Sequence, residues 1–367
     1  MIKQAEEAGT SKEVIHGFRL SPQQKRTWLL QQSECALPER ASCAVLIEGA
    51  INTETLRAAV EKVAGLHDIL RTGFQSLPGM KMPLQVVSES SINWETDIDL
   101  SGLDEQQQEA RIEALLREYT QASLHHEVLR LCCVSLSQER QVLLISLPAL
   151  CADAQTLQYL VSEIGRCYAS FSNDEEFMDE AVPYAVVSEW LNELLGSDEA
   201  EAGKDYWRAQ DFSELPALRL PFEARASEAR DFEPRILSLS VHPERTAVIE
   251  SLCGQYGTTP YALLLACWNI LLVRLSGQTE IVIGAAFDGR ADEELKGLLG
   301  PLTKYLPIHS HTHSEIKFRE ILEQAQASID EAGKWQECFT WEQNGTPSGS
   351  DTRLDFFPIA FDYQEWA

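Results

Sequence analysis

The chain has 367 residues, and 30 Lys+Arg against 57 Asp+Glu leave a formal net charge of −27. That balance speaks against nucleic acid and anionic membrane as partners, since both are held by basic patches. A hydrophobic share of 44% with 24% charged residues excludes disorder of the whole chain, and the length allows two domains or one long one.

Ser21 and Pro22 open a helix that runs to Gln32, the serine as N-cap and the proline at the first helical position. Ala44 to Ile51 reads as a strand, and Asn52 then caps a helix with Leu56, Val60, Val63 and Ala64 on one face. A strand follows at Leu84 to Val87, and a polar helix with Ile112, Leu115 and Leu116 as its apolar positions spans Asp104 to Tyr119. Two apolar runs, Val128 to Leu136 and Gln141 to Leu147, are separated by a polar turn and read as neighbouring strands. From Asp153 the period changes, and Leu157, Leu160, Val161 and Ile164 mark an amphipathic helix to about Ser170.

The acidic stretch Asn173 to Glu180 places a boundary between halves at 1–175 and 176–367. Beyond it the pattern predicts a strand Arg235 to Val241, a helix Pro243 to Gln255, a buried helix Pro260 to Leu275 and a strand Glu280 to Ala286. A strand near Tyr305 to His309, a helix Ser314 to Glu331 and a strand-like run Phe356 to Phe361 complete the chain. Strands and helices alternate in both halves, so the fold class is α/β or α+β.

The longest nearly unbroken apolar run, Tyr261 to Val273, holds 13 residues, fewer than the roughly 20 needed to span a bilayer. Met1 to Glu7 lacks the basic-then-apolar order of a signal peptide, so a cytoplasmic protein beginning at its natural start is expected. The nine cysteines form no C-x-x-C pair, which favours small core residues over zinc or disulfides. Asn344-Gly345-Thr346 reads as a turn rather than a glycosylation site. Glycine-rich phosphate loops, G-x-S-x-G elbows and H-E-x-x-H helices are missing from the sequence.

Six short blocks carry a resemblance. Ser21 to Leu30 (SPQQKRTWLL) is similar to S-x-A-Q-x-R-L-W-x-L, and Leu66 to Phe74 (LHDILRTGF) to R-H-E-x-L-R-T-x-F. Asp205-Tyr206-Trp207 matches a Y-W pair, and Gly284 to Arg290 a G-x-x-x-x-G-R turn. Leu299 to Lys304 parallels I-G-x-F-x-N, with Lys304 in place of Asn, and Trp335 to Phe339 resembles H-Q-x-x-P-F. In this order and over nearly the whole chain, the blocks resemble the core motifs of condensation domains from nonribosomal peptide synthetases.

That resemblance implies a pseudo-dimer of two chloramphenicol acetyltransferase-like halves forming a V with a central tunnel. It implies amide formation between substrates carried as thioesters on the phosphopantetheine arms of carrier proteins, with no cofactor or metal bound directly. The family's His-His-x-x-x-Asp-Gly motif falls, in this register, on Pro148-Ala149-Leu150-Cys151-Ala152-Asp153-Ala154. Pro148 and Ala149 replace the two histidines and Ala154 the glycine, while Asp153 keeps the aspartate. The second histidine is the family's candidate base, and general acid–base assistance is worth roughly 10²–10⁴ in rate. Asp153 is expected to pair with Arg290 in the Gly289-Arg290 turn, as a structural ion pair.

The remaining candidates have blander readings. His125-His126 precedes Glu127-Val128-Leu129-Arg130, which resembles the family's P-L-x-R strand entry, and belongs to a surface loop. Cys151 has no adjacent base and reads as a packed thiol. His309, His311 and His313 alternate along a strand end and read as solvated rather than metal-binding. The acidic runs Asn173 to Glu180 and Ser197 to Glu201 read as solvated surface.

The expected function is a catalytically impaired platform that docks a carrier protein or recruits a tailoring enzyme of a peptide synthetase. The alternative is an active condensation or acyl transfer, forming an amide or ester by positioning alone. Phe356 to Gln364 resembles P-F-x-x-x-F-x-x-Q, after which relatives continue, so the C-terminal half looks truncated and an adenylation domain is expected to follow in the parent. The negative charge makes an acidic carrier a less comfortable partner than a neutral or basic enzyme.

Overall fold

The computed structural model describes residues 2–5, 14–32, 39–89, 92–121, 128–177, 180–210, 218, 220–221, 237–313, 315–341, 357 and 359–365. The chain divides into two compact units. The first comprises Met1–Leu194 with Arg290–Thr303, and the second Leu195–Gly289 with Lys304–Ala367. Helix α5, which lies beyond the acidic stretch in sequence, thus belongs almost entirely to the first unit.

In the first unit, β1 (Ile2–Ala5) pairs antiparallel with β2 (Val14–Gly17). Helix α1 (Pro22–Gln31) starts on a capping box in which Ser21 Oγ accepts from the Gln24 N–H and the Gln24 side chain accepts from the Ser21 N–H. Strand β3 (Arg40–Glu48) leads to α2 (Thr53–Leu66), whose cap Asn52 accepts from the Thr55 N–H at 3.0 Å. Short strands β4 (Thr72–Gln75) and β5 (Leu84–Val87) pair antiparallel, and β6 (Ile92–Trp94) and β7 (Ile98–Asp99) precede helix α3 (Glu105–Gln121). Strands β8 (Leu129–Ser135) and β9 (Arg140–Pro148) then lead into α4 (Ala154–Ser172) and α5 (Tyr184–Gly196).

The main sheet has the order β3-β9-β8-β6, with β7 also pairing β8. The two central strands are buried on both faces. Leu129, Leu131 and Cys133 with Leu143, Ile145 and Leu147 pack against α2 and α4, whereas Cys132, Val134, Val142 and Leu144 pack against Leu115 and Tyr119 of α3. This is why β8 and β9 read as continuous apolar runs rather than as alternation.

In the second unit, α6 (Glu201–Ala209), α7 (Pro243–Tyr256), α8 (Pro260–Ser276) and α9 (Phe318–Lys334) pack with a sheet of order β11-β10-β12. Strand β10 (Glu280–Phe287) pairs antiparallel with β11 (Lys304–His311) and parallel with β12 (Ala360–Phe361). Two sequence expectations fail here. Of the strand expected at Arg235 to Val241, residues 235–236 lie outside the described residues; residues 237–241 form no strand, and Leu237, Leu239 and Val241 are exposed, so among the described residues their alternation enters no sheet. Helix α8 is not buried all round, because Cys267, Leu271 and Leu275 lie on an exposed stripe. Among the described residues, no single helix is long and apolar enough to cross a membrane.

Candidate functional site

The segment from the end of β9 to the start of α4 is where the sequence places its candidate motif. Pro148 is buried as the last residue of β9, opposite Arg40. Ala149 is half-buried and its N–H is spent on the Glu39 carbonyl at 2.8 Å. Leu150 and Cys151 are fully buried. The Leu150 carbonyl accepts from Gln24 Nε2 at 3.0 Å, and Cys151 Sγ lies 3.5 Å from the Thr72 carbonyl that accepts from it. Burial pushes the Cys151 thiol well above its ordinary range, the reverse of what a thiolate nucleophile needs. Ala154 is the exposed first residue of α4.

Asp153 ends the segment as the N-cap of α4 and is the hub of a dense network. Its carboxylate accepts from the Thr156 N–H at 2.7 Å and the Thr156 hydroxyl at 2.5 Å. It also accepts from the N–H groups of Leu302 and Thr303 and from the Thr303 hydroxyl, each at 2.9 Å. The Arg290 guanidinium reaches it through Nη1 at 3.3 Å and Nη2 at 3.2 Å. Arg290 also donates to the Gly300 carbonyl at 2.7 Å and the Leu298 carbonyl at 3.1 Å, and its side chain is only 1% exposed. Burial alone pushes the Asp153 carboxyl up, but the Arg290 charge and the hydrogen bonds from Thr156 and Thr303 outweigh it and hold the group below the usual carboxylate range.

The structure therefore brings Asp153 and Arg290 together, and the contact ties the segment Arg290–Thr303 to the first unit. Leu295, Leu298, Leu299 and Leu302 of that segment enter the same apolar cluster as α2 and α4. Gly300, at φ +132°, lies directly against the Tyr184 ring, in a conformation and a space that admit no side chain. The Tyr184 hydroxyl donates to the Pro301 carbonyl at 2.9 Å and sits 2.7 Å from Ser21 Oγ.

The sequence blocks converge on this network for reasons their spelling does not show. Gln24 of the first block bonds Leu150 and also Gln85 Oε1 at 2.9 Å, and Gln85 Nε2 in turn donates to the Arg19 carbonyl. Asp68 of the second block accepts the Tyr184 and Ala185 N–H groups at 2.9 and 3.3 Å, capping α5. His67 beside it is buried with Nε2 2.7 Å from Glu163 of α4. Tyr184, Gln85 and Thr303 carry no signal of their own in the sequence, because the partners through which they join this network lie far along the chain.

The other candidates lie apart. Lys304 forms a buried ion pair with Glu337 in the second unit, and burial pulls its amine below the usual lysine range despite the carboxylate beside it. Trp207 is fully buried and donates to the Trp335 carbonyl at 2.8 Å. Gly203 faces Cys338 and Trp335 so closely that a Cβ would overlap them. His309 and His311 flank Glu280 across the β10–β11 pair. Among the described residues, no group of three or more His, Cys, Asp and Glu side chains is arranged to hold a metal ion. His125, His126 and Asn344 to Thr346 lie outside the described residues.

Solved structures share this architecture. The first condensation domain of the calcium-dependent antibiotic synthetase superposes with a TM-score of 0.78 at 16% identity, covering 95% of this chain and 80% of that one. The X-domain from teicoplanin biosynthesis gives 0.75 at 21% identity, over 96% and 78%. The fold is the mixed α/β, chloramphenicol acetyltransferase-like fold of condensation domains.

Residues 15–338 match the family model of the condensation domain, and the chain belongs to that family. Gramicidin S synthase 2 of Aneurinibacillus migulanus is 28% identical over 308 residues, and tyrocidine synthase 3 of Brevibacillus parabrevis is 25% identical over 321. The matches cover 83% and 87% of this chain but only 7% and 5% of those proteins.

Proposed function

We propose that this chain is a condensation-family domain that does not itself form the amide bond and serves instead as a platform in a peptide synthetase. It docks a carrier protein or recruits a partner enzyme that acts on a carrier-bound substrate. The observation that carries this reading is the chemistry of residues 148–154. Pro148, Ala149 and Ala154 offer no proton acceptor, Cys151 is a sealed thiol, and the Asp153 carboxylate is already occupied by Arg290, Thr156, Leu302 and Thr303. An attacking amine would find no base on this segment, which removes roughly 10²–10⁴ in rate.

A fold of this kind holding a second protein has a precedent, since the X-domain from teicoplanin biosynthesis is recorded in complex with OxyB. The only prosthetic group the reading calls for is the phosphopantetheine arm, which arrives with a carrier protein. The test is a single-turnover assay with two loaded carrier proteins, run beside a binding measurement with each. Binding without amide product supports the platform, and rapid amide formation overturns it.

A further inference from the structure

The negative charge of the chain is unevenly spread. Between Arg166 and Lys204 there is no lysine, arginine or histidine, while ten aspartates and glutamates fall in the interval. Helix α5 lies in this stretch. Its inner face, Tyr184, Ala185, Val187, Ser188 and Leu191, is buried.

Its outer face mixes apolar with acidic side chains. Val186 is 55% exposed and Trp190 40%, and Val182, in the coil two residues before the helix begins, is 43% exposed. Single exposed apolar residues are ordinary, but Val186 and Trp190 at i and i+4 share one face of the helix and make a short stripe, and tryptophan is among the side chains most often found at the energetic centre of an interface. Beside the stripe, Glu189 is paired with Arg19 at 2.7 Å, whereas Glu193 is exposed one turn beyond Trp190. On the other side of the stripe in sequence, Glu180 is exposed two residues before Val182.

Resting on the platform reading above, we propose that the outer face of α5 is the docking surface for a partner protein that presents a basic amphipathic helix. Apolar side chains of that helix cover Val182, Val186 and Trp190, and its lysines and arginines face the acidic rim. Charge decides the occupant. An acidic carrier protein, an anionic membrane or a second copy of this chain would each bring negative charge against negative charge, which raises the cost of encounter and of contact. A helix laid along an apolar stripe with anchors at helical spacing is a common mode of recognition.

The probe is a labelled synthetic peptide with leucines along one helical face and lysines elsewhere, titrated against the full chain by fluorescence anisotropy. The surface predicts that the double variant Val186→Glu, Trp190→Glu weakens binding at least tenfold. Glu193→Lys, an exposed change that leaves the core intact, weakens it severalfold. A scrambled peptide of the same composition also binds at least tenfold more weakly. Wild-type affinity in both variants, or equal binding of the scrambled peptide, overturns the proposal. So does a dimer of the unmodified chain that the double variant abolishes in sedimentation, which assigns the stripe to a second copy, or an acidic carrier protein whose binding the double variant abolishes. The single-turnover assay separates the two ideas: amide formation removes the platform, while stripe-independent binding without amide formation removes only this surface.

Discussion

Removing either member of the Asp153–Arg290 pair should destabilise the first unit, and the two losses should be unequal. Arg290→Met takes away the cation and leaves the Gly300 and Leu298 carbonyls without the guanidinium. Asp153 nonetheless keeps the donors of Thr156, Leu302 and Thr303. Breaking a buried pair costs about 3–5 kcal/mol, and a carboxylate that retains so many donors belongs at the low end, about 3 kcal/mol. Asp153→Ala strands a guanidinium that is only 1% exposed and leaves the N–H groups of Thr156, Leu302 and Thr303 without this acceptor, so about 5 kcal/mol is expected. Urea unfolding should be read by near-ultraviolet circular dichroism together with hydrogen exchange on peptides from α4 and residues 290–303, because two compact units need not unfold in one step. The double variant should cost less than the sum of the singles. An Arg290→Met cost below about 1 kcal/mol, or a larger cost than Asp153→Ala, would refute the reasoning that the pair and its surrounding donors hold the segment.

The same carboxylate sets an acid limb. Its folded pKa lies below its unfolded value of about 3.9, so its stabilisation is complete above the unfolded value and is lost as pH falls through the folded one. Asp153→Asn should therefore flatten the fall of stability with acid in denaturant titrations between about pH 5 and pH 2. Gly300→Ala should cost about 2–4 kcal/mol, from a strained φ and from overlap with the Tyr184 ring, measured as a shift of the urea midpoint. Lys304→Met should cost about 3 kcal/mol, the low end for a buried pair, by leaving Glu337 without its cation, and adding Glu337→Leu should restore stability to within about 1 kcal/mol of the parent. Cys151 should remain unlabelled by iodoacetamide in the folded protein while exposed Cys267 is labelled, as mapped by mass spectrometry.

What the sequence made legible follows from which signals are local. Ser21 with Pro22, Asn52 with its apolar face, and Pro243 and Pro260 mark helix starts by chemistry confined to a few residues, and those helices begin where their caps say. The central strands β8 and β9 were legible because both faces are buried. Helix α5 was not, since exposed Val186 and Trp190 interrupt the polar face that Glu189 and Glu193 would otherwise mark. Residues 237–241 misled in the opposite sense: alternation shows that a segment suits a half-buried strand, and a strand forms only where a neighbour supplies the ladder. At the site, the pairing of Asp153 with Arg290 was suggested by family resemblance. The roles of Gln24, Tyr184 and Gly300 rest on contacts more than a hundred residues apart in sequence, which no spacing rule reaches.

On the proposed reading, holding and reacting draw on different atoms of this segment, as a platform requires. The carboxylate of Asp153 points into the network with Arg290 and Thr303, whereas residues 148–151 are fixed by other bonds: the Ala149 N–H on Glu39, the Leu150 carbonyl on Gln24, and Cys151 against Thr72. None of those bonds uses a side chain at 148 or 149. Selection for chemistry and selection for shape therefore act on different atoms a few residues apart. On the proposed reading, a chain released from the first loses its proton acceptor while the second keeps Asp153, Arg290 and Gly300 in place.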